Sequence, residues 1–478
     1  MFDPIRELAK AILGTKNTVR PDSRNITAQL GPTGQPQPGQ KKQAETDIRP
    51  LPEYLFVLKA LQIKCPAIFV TGGAGTGKST LIRYLQTNLK NIAVVAPTGV
   101  AALNVGGATI HSFFGFPPKT INPDEVYRMK QSSRDVVKNL EALIVDEISM
   151  VNASMIDAIN LSLQKERNCA LPFGGVPVVF VGDLLQLPPV VVDAEQARFF
   201  THRYGGPHFI FADILKTVPL VTIELQQVMR QTDVVFISLL KKLRIGLELD
   251  AVINDLNQNC HLEATNPRIN EVHLVPTKRL AAGINATKLK ALDSKEWSFN
   301  SSHTGRYDPN RDPLPAPVVL SVKVGCQVLF VKNNQPWWSN GTVGEVTRID
   351  ADCIYVKIAD VNNEVKVERA MWEMFEYYYN RETMRIESEV VGTFTQFPLT
   401  LGWALTIHKA QGLTLASVKV DLGEGAFCEG QTYVALSRCR TIDGVRLDRK
   451  ILPRDIIVDA RIKAWYEQIR PFVNEIES

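Results

Sequence analysis

The apolar positions of this chain form short runs separated by segments with helical spacing. Beyond residue 50 the runs AIFV, IAVVA, ALIV and VPVVFV follow one another, and a helical pattern starts at Lys78, after the first run. Strands that are apolar along their whole length are typical of a parallel sheet covered by helices on both faces. We therefore predict a first α/β domain over 50–200, with a small insertion at about 115–138, where prolines and charges interrupt the pattern.

A second α/β pattern follows and is itself interrupted. Its elements are the run TIEL, a helix, the run VHLVP and, much later, VKVDL and another helix. Between them the residues change to short β-type runs with Asn-Gly turn residues, namely QVLFVKNN, GTVGEVTRI, CIYVKIA and EVKVERA. The pattern predicts a second domain made of 201–313 and 392–460, with a small β-barrel inserted at 314–391.

The two ends of the chain differ from these domains. Residues 1–49 form a predicted flexible extension and linker, because the stretch QLGPTGQPQPGQKKQAE has little to bury, although Phe2–Leu13 has the spacing of a short helix. A helix is predicted at 461–478. No apolar run approaches the roughly 20 residues that span a bilayer, and the start of the chain lacks a secretion signal, so we expect a cytoplasmic, nucleoid-associated protein.

Composition narrows the class only slightly. Hydrophobic residues make up 45% of the 478 and charged residues 22%, which excludes wholesale disorder. A net charge of +4 is too small to identify a nucleic-acid-binding protein, because local patches decide that property. The seven cysteines are widely spaced, which favours reduced packing residues over a zinc site or a disulfide framework.

A phosphate-binding loop is the most specific motif in the chain. The sequence GGAGTGKS, residues 72–79, directly follows the first predicted strand and opens a helix, which is the context that this motif requires. Its backbone N–H groups and Lys78 suit phosphate oxygens, and the Ser79 hydroxyl suits Mg²⁺. A glycine-rich turn without a ligand is the alternative. The predicted nucleotide-binding residues are Gly73, Ala74, Gly75, Thr76, Gly77, Lys78, Ser79 and Thr80.

Polar residues at the ends of the next two strands complete a candidate ATPase site. Asp146 and Glu147 follow the strand ALIV, at the sheet edge where open α/β sheets bind ligands. Asp146 is predicted to hold Mg²⁺, and Glu147 to orient and deprotonate the attacking water. Gln186 follows the strand VPVVFV and is predicted to contact the γ-phosphate, because its neutral amide both donates and accepts. A solvated loop and a turn before Pro-Pro are the respective alternatives.

Seven motifs in a fixed order resemble those of superfamily 1 helicases, and more closely those of the petite-integration-frequency (Pif-type) family of 5′→3′ DNA helicases. They lie between residues 66 and 450: TGGAGTGKST, APTGVAALNVGGATIHSFFG, IVDEISMV, PFGGVPVVFVGDLLQLPPV, LQQVMRQTD, LTLGWALTIHKAQGLTL and YVALSRCRT. The run FGGV followed by GDLLQLPPV resembles the Pif-type branch in particular.

The resemblance implies an α/β fold of two RecA-like domains with ATP between them and an SH3-like β-barrel inserted in the second. By the same resemblance, Arg230 and Arg438 are arginine fingers that neutralise charge on the transferring phosphate. Gln411 and Gly412 are implied contacts to the nucleotide and its loop. One departure concerns adenine selectivity, because the segment upstream of the phosphate loop has no clear counterpart of the glutamine with which relatives read adenine.

A motor on single strands needs phosphate contacts and stacking rather than base-edge readout. The predicted DNA-binding residues are Pro97, Thr98, Gly99, Asn104, His111, Phe113, Thr277, Lys278, Thr406, His408 and Lys409. Either Phe113 or its neighbour Phe114 could instead belong to the core, because aromatic pairs usually bury themselves. Trp337 and Trp338 could stack on bases or belong to the barrel core.

The sequence thus predicts a monomeric, ATP- and Mg²⁺-dependent 5′→3′ helicase that acts on single-stranded DNA, on single-strand/duplex junctions and on G-rich structured DNA. The insertion at 115–138 is expected to meet the duplex at the junction. Two alternatives stay open. One is a nucleotide-switched DNA-binding ATPase, and the other is a translocase that displaces proteins without separating strands.

Overall fold

The computed structural model describes residues 50–117, 121, 125, 129–260, 270–307, 314–358 and 364–474. The predicted extension and linker at 1–49, including its possible helix, lies outside the described residues. Parts of the predicted insertion at 115–138 and the end of the predicted helix at 461–478 also lie outside them.

The first lobe is built on a six-stranded sheet, and every strand pair in it is parallel. The order is β3-β2-β4-β5-β1-β6. The strands are β1 (Ala67–Gly72), β2 (Ile92–Ala96), β3 (Ala108–Thr109), β4 (Ala142–Val145), β5 (Val178–Val181) and β6 (Leu220–Leu225). The four central strands, β1, β2, β4 and β5, are buried at every position, as their continuous apolar runs predict.

Helices cover both faces of this sheet. They are Pro52–Gln62, Lys78–Asn88, Gly99–Val105, Ile110–Phe114, Gln131–Asn139, Ala153–Arg167, Ala194–Tyr204 and Asp213–Thr217. Two clusters of buried side chains, one on each face, form the core of the lobe. The helix Gln131–Asn139 covers the carboxyl-terminal part of the predicted insertion.

The assignment of the run TIEL to the second domain was wrong. This run ends strand β6, which pairs in parallel with β1 over its whole length, from Ala67 with Leu220 to Gly72 with Leu225. The first lobe therefore continues past the predicted boundary at residue 200. Hydrophobic pattern alone identifies a strand, but the choice of its sheet depends on contacts far apart in sequence.

The second lobe contains a four-stranded parallel sheet in the order β18-β7-β19-β20. Its strands are β7 (Val272–Val275), β18 (Ala404–Thr406), β19 (Val418–Val420) and β20 (Val445–Leu447). Its helices are Val234–Ile245, Leu249–Asn259, Lys278–Lys290, Ile407–Ala410 and Gln431–Leu436. The two parallel-sheet lobes together form a RecA-like α/β core.

Antiparallel strands between β7 and β18 form extra small sheets, consistent with an inserted domain. Their orders are β14-β13-β12-β11-β17, β10-β8 and β15-β16-β9. The strands are β8 (Trp297–Asn300), β9 (Ser302–Gly305), β10 (Val319–Val322), β11 (Gln327–Phe330), β12 (Val343–Ile349), β13 (Cys353–Ile358), β14 (Glu364–Glu368), β15 (Ala370–Asn380), β16 (Arg385–Gln396) and β17 (Leu399–Leu401). The insertion therefore extends beyond the predicted 314–391 on both sides.

The long hairpin β15–β16 reaches from the inserted domain to the first lobe. The Tyr377 hydroxyl accepts a hydrogen bond from the backbone N–H of Val94 at 3.3 Å, and its ring meets the Phe113 ring edge-on at 6.1 Å. The backbone N–H of Ile386 donates to Oδ1 of Asn91 at 3.0 Å. These contacts hold the inserted domain against strand β2 and the helix Ile110–Phe114 of the first lobe.

The last helix, Ala460–Asn474, returns to the first lobe. Ile462 and Tyr466 pack into the core of that lobe, and the hydroxyls of Tyr466 and Thr71 are hydrogen-bonded at 2.6 Å. Thr71 lies in β1 directly before the phosphate loop. In the part of the chain that the structure describes, no helix is both long and apolar enough to cross a membrane.

Candidate nucleotide and nucleic-acid site

The nucleotide-site candidates lie at one edge of the six-stranded sheet. Strands β4, β5 and β1 are neighbours and run in parallel, so their carboxyl ends meet at the same edge. Asp146 follows β4, Gln186 follows β5 by a short turn, and the phosphate loop follows β1. The structure thus brings together the three motifs that the sequence places far apart.

The phosphate loop needs glycine for its backbone conformation and for space. Gly75 and Gly77 have φ values of +78° and +94°, which side-chain-bearing residues rarely adopt. A Cβ atom at Gly75 would lie 2.3 Å from Cβ of Arg230, and one at Gly77 would lie 2.6 Å from the Tyr54 hydroxyl. Tyr54 lies in the first turn of the helix Pro52–Gln62, and its hydroxyl donates to the Gly77 carbonyl at 2.8 Å.

Lys78 points into the loop that it is predicted to serve. Its Nζ donates to the carbonyl oxygens of Gly72 and Gly73 at 2.8 and 2.9 Å. Burial lowers the pKa of Lys78, whereas the nearby carboxylates of Asp183 and Glu147 raise it. A lysine held only by carbonyl oxygens can exchange them for phosphate oxygens, which fits the predicted role.

The two acidic candidates have different environments. Burial, and then the neighbouring Glu147, raise the pKa of Asp146 to about 7. Glu147 adopts a left-handed backbone conformation with φ 48°, and its backbone N–H donates to Oδ1 of Asp146 at 2.9 Å. This turn separates the two carboxylates, so that Asp146 is buried and Glu147 faces the cleft between the lobes.

Arg438 is a buried cation whose hydrogen bonds all go to neutral oxygens. It is 1% exposed and donates to the carbonyls of Val434, Ala410 and Leu413, at 2.8 to 3.4 Å, and to the Ser437 hydroxyl at 2.7 Å. Burial, and then the charge of Arg230, lower its pKa to about 9. A buried charge without a paired anion is costly, so the site fits an anionic ligand.

The second predicted finger, Arg230, is also incompletely satisfied. Its Nη2 donates to the Gly412 carbonyl at 3.1 Å, while its buried Nη1 has no hydrogen-bond partner among the described residues. Burial is the main cause that lowers its pKa. Two neighbouring guanidinium groups without carboxylate hydrogen bonds favour a ligand that carries several negative charges, such as a triphosphate.

Hydrogen bonds at Glu147 and at Ala74 join the first lobe to the second across this cleft. Nε2 of Gln411 donates to Oε2 of Glu147 at 3.0 Å. The backbone N–H of Ala74 in the phosphate loop donates to the hydroxyl of Tyr433 at 3.0 Å. Gln411 therefore reaches the acidic motif, whereas Gly412 contacts Arg230 through its carbonyl. Sequence reasoning missed Tyr433, although it lies in the YVALSR motif that drew attention to Arg438.

Gln186 is held by an acidic neighbour that was not predicted as a site residue. Its Nε2 donates to Oδ2 of Asp183 at 3.1 Å, and both side chains are buried. Within the described residues, no three His, Cys, Asp or Glu side chains lie together in a way that would hold a metal ion. Ser79 and Asp146 could contribute two oxygen ligands to Mg²⁺, which commonly takes its remaining ligands from phosphates and water.

Three of the predicted DNA-binding residues are threonines that share one structural role with a fourth threonine. Each accepts a hydrogen bond from a backbone N–H in the first turn of a helix that begins at the carboxyl end of a parallel strand: Thr98, Thr109, Thr277 and Thr406. Thr109 was not predicted, although its pattern matches the other three. Helix starts of this kind present N–H groups that suit phosphates.

The remaining DNA candidates differ in their exposure. Asn104, Lys278 and Lys409 are exposed, and His111 and His408 are half-buried. Burial lowers the pKa of both histidines, and the charge of Lys278 lowers that of His408 further. Lys278 and His408 therefore lie close together on the second lobe.

The assignment of Phe113 to the DNA surface was wrong for this structure. Phe113 is 3% exposed and packs edge-on against Phe114 and Tyr377. The aromatic ring that is exposed beside the DNA candidates is Phe427, which is 59% exposed and nearly parallel to the His408 ring at 6.4 Å. Phe427 lies outside the motifs that contain the predicted DNA-binding residues, so no sequence motif pointed to it.

The two tryptophans of the inserted domain have opposite environments. Trp338 is buried, stacks on Phe330 at 4.5 Å and donates from Nε1 to the Lys332 carbonyl at 3.0 Å. Trp337 is 57% exposed. Trp338 therefore belongs to the core of the inserted domain, whereas Trp337 faces solvent.

Comparison with known proteins agrees with this geometry. The family model of the PIF1-like helicases matches residues 56–250. The chain is 34% identical to the ATP-dependent DNA helicase Pif1 of Bdellovibrio bacteriovorus, over 84% of this chain and 88% of that protein. The crystal structure of Bacteroides sp Pif1 with ADP-AlF4 is 32% identical, with a TM-score of 0.82 over 89% of this chain and 98% of that one.

A second Bacteroides Pif1 structure, bound to ssDNA, is also 32% identical but has a TM-score of 0.63, over 88% of this chain and 97% of that one. The similarity to these relatives extends over most of the chain and includes both lobes and the inserted domain. The chain therefore belongs to the Pif1 family of ATP-dependent DNA helicases, which are enzymes.

Proposed function

We propose that this helicase hydrolyses ATP to move 5′→3′ along single-stranded DNA and to separate strands where it meets a duplex. One observation carries the proposal: the phosphate loop and Glu147 on the first lobe lie beside Arg230, on the segment that joins the lobes, and Gln411 of the second lobe, close to Arg438, donates a hydrogen bond to Glu147. A ligand that binds both sides of this cleft draws the lobes together, and its hydrolysis releases them.

In this proposal, different residues of the cleft have different roles in phosphoryl transfer. Lys78 and the N–H groups of the phosphate loop hold the β- and γ-phosphates, and Ser79 and Asp146 bind Mg²⁺, which neutralises phosphate charge when it is bound. Glu147 orients and deprotonates the attacking water. Arg230 and Arg438 exchange their neutral partners for phosphate oxygens as negative charge develops.

The DNA path runs over the carboxyl edges of both sheets in this proposal. Thr98 and Thr109 mark it on the first lobe, and Thr277 and Thr406 mark it on the second. Lys278 and Lys409 contribute phosphate contacts, and Phe427 contributes a stacking surface beside His408. Phosphate contacts with stacking hold a strand without reading its sequence, as translocation requires.

The substrates in this proposal are single strands, their junctions with duplexes, and G-rich structured DNA. The protein acts as a monomer on the DNA of the nucleoid, in repair, recombination and the maintenance of chromosome ends. The ssDNA complex of the Bacteroides relative supports the single-strand part of the proposal.

Unwinding of partial duplexes with one single-stranded tail tests the direction. We expect strand separation with a 5′ tail and none with a 3′ tail of the same length. Activity on the 3′-tailed substrate alone would contradict the assigned polarity. A Lys78→Ala variant, which removes the phosphate-binding amine, is the control for contaminating helicases.

ATPase measurements with and without poly-dT test the motor itself. We expect poly-dT to increase the ATPase rate many-fold, because strand binding and lobe closure involve the same cleft. Hydrolysis that ignores poly-dT would favour a nucleotide-switched binding protein. Displacement of streptavidin from DNA ends without unwinding of either duplex would favour a translocase that does not separate strands.

A further inference from the structure

Arg244 is not among the predicted site residues, but it connects three structural elements that lie beside the predicted nucleotide site. It belongs to the helix Val234–Ile245, whose residues Phe236, Leu240 and Leu243 pack into the core of the second lobe. Its guanidinium, however, is buried against the first lobe. Arg244 is therefore a residue of the second lobe whose charged group is buried against the first lobe.

The guanidinium holds two carboxylates of the first lobe. Nε and Nη2 donate to Asp183, with distances of 2.9 to 3.1 Å, and Nη1 donates to Oε1 of Glu224 at 2.9 Å. Asp183 follows strand β5, and Glu224 lies in β6. Paired hydrogen bonds from a planar fork fix the orientation of a carboxylate as well as its position.

The carboxylate of Asp183 in turn orients Gln186. It accepts from Nε2 of Gln186 at 3.1 Å and from the backbone N–H of Leu185 at 3.2 Å. Because an ionised carboxylate only accepts hydrogen bonds, the amide nitrogen of Gln186 must face it. The amide oxygen and one N–H then remain for the water and the phosphate.

The same guanidinium is connected through Tyr466 to the strand that precedes the phosphate loop. It lies 5.6 Å from the centre of the Tyr466 ring, and the Tyr466 hydroxyl is hydrogen-bonded to Thr71 of β1 at 2.6 Å. Arg244 also neutralises Asp183, whose charge reaches Lys78. Without that neutralisation a buried carboxylate near the phosphates would repel them.

We propose that Arg244 is a positioning residue of the ATPase: through Asp183 it fixes the amide of Gln186, and it transmits movement of the second lobe to that amide. The inference rests on the proposed role of Gln186 at the γ-phosphate. Arg244 itself touches neither nucleotide nor DNA in this scheme. Its effect is on the chemical step, and it leaves ground-state binding of ATP largely unchanged.

The substitution Arg244→Lys keeps the positive charge and removes the planar guanidinium that donates paired hydrogen bonds. We expect kcat of the DNA-stimulated ATPase to fall about 10- to 100-fold with KM for ATP nearly unchanged, since misplacement of a catalytic group has effects of this size. In a Gln186→Ala background the same substitution should lower kcat less than twofold. Arg203→Lys is the matched control, because Arg203 pairs with Asp213 at the surface of the first lobe.

Equal kcat losses from Arg244→Lys with and without Gln186 would overturn the inference, because Arg244 would then act by another route. A wild-type kcat in Gln186→Ala alone would instead remove the proposed role of Gln186, and the inference with it. If Arg244→Lys does not fold, the double variant Arg244→Gln/Asp183→Asn replaces the ion pair with neutral amides. It should show the same kcat loss and the same lack of further effect in the Gln186→Ala background.

Discussion

Gln411 of the second lobe donates a 3.0 Å hydrogen bond to the carboxylate of Glu147 on the first. Gln411 is separated by only two residues from His408, a predicted DNA contact on the short helix Ile407–Ala410. A shift of this helix on DNA therefore reaches the proposed catalytic carboxylate directly. This connection is a physical route by which a bound strand can control hydrolysis.

Replacement of Gln411 tests that route. We expect Gln411→Ala to reduce the stimulation of kcat by oligo-dT about 10-fold or more, because a hydrogen bond to a charged group contributes about 1.5–3 kcal/mol. ATPase rates with and without oligo-dT measure the effect. Gln258→Ala, on an exposed helix position of the same lobe, is the control. An unchanged stimulation factor would refute the route.

Glu147→Gln should separate binding from hydrolysis. The amide keeps the size of the side chain and removes the base, so kcat should fall about 10²- to 10⁴-fold. Fluorescent ATP analogues should still bind, because the phosphate loop is intact. Glu382→Gln, at the exposed tip of the β15–β16 hairpin, should behave as the wild type. Loss of nucleotide binding in Glu147→Gln would argue against a purely catalytic role.

Arg438→Ala should abolish most ATPase activity. An arginine finger contributes about 10³- to 10⁵-fold to kcat. Arg440→Ala changes the same residue type two positions away at an exposed site and should have little effect. Because Arg438 is buried, the melting temperature of both variants must be recorded beside kcat. A folded Arg438→Ala protein with normal turnover would exclude the finger assignment.

Phe427→Ala should weaken binding to oligo-dT. Stacking of one base on an aromatic side chain contributes about 1–3 kcal/mol, which corresponds to a change in Kd of about 5- to 150-fold. An oligonucleotide with abasic sites shows whether the lost contact is to a base, since the difference between wild type and variant should then vanish. Leu171→Ala is the control, because Leu171 is similarly exposed on the first lobe. Equal losses on both oligonucleotides would show that the ring does not stack on bases.

The two adjacent tryptophans, Trp337 and Trp338, allow the effect of side-chain burial on stability to be tested. Trp338→Ala should lower the free energy of unfolding of the inserted domain by about 3–5 kcal/mol, because it removes a buried ring that stacks on Phe330. Trp337→Ala should change it by less than about 0.5 kcal/mol, as expected for an exposed position. Denaturant titration followed by fluorescence compares the two. Similar losses for both variants would contradict the burial difference.

Local pattern predicted the strands and the phosphate loop well, because each depends on neighbouring residues. The runs that became β1, β2, β4 and β5 were identified by continuous apolarity, and the glycines of the loop by their spacing. Sheet membership was harder to predict. The composition of strand β6 fits either lobe, and only its pairing with β1 shows that it belongs to the first lobe.

Side-chain exposure was likewise beyond the reach of the sequence. Phe113 and Phe427 are the same residue type, but Phe113 is buried in the core of the first lobe and meets Tyr377 from a distant hairpin, whereas Phe427 is exposed. Arg244 has no motif at all, and its role emerges only when Asp183 and Glu224 lie beside it. Contacts between segments far apart in sequence account for each of these differences.

The return of the last helix to the first lobe has a mechanical consequence. The backbone leaves that lobe after Leu225 and re-enters it at the helix that carries Ile462 and Tyr466, so the second lobe is tethered at two points rather than one. Two tethers define an axis. Rotation about that axis is easier than sliding or twisting, and it is the motion that lobe closure on ATP requires in the proposed mechanism.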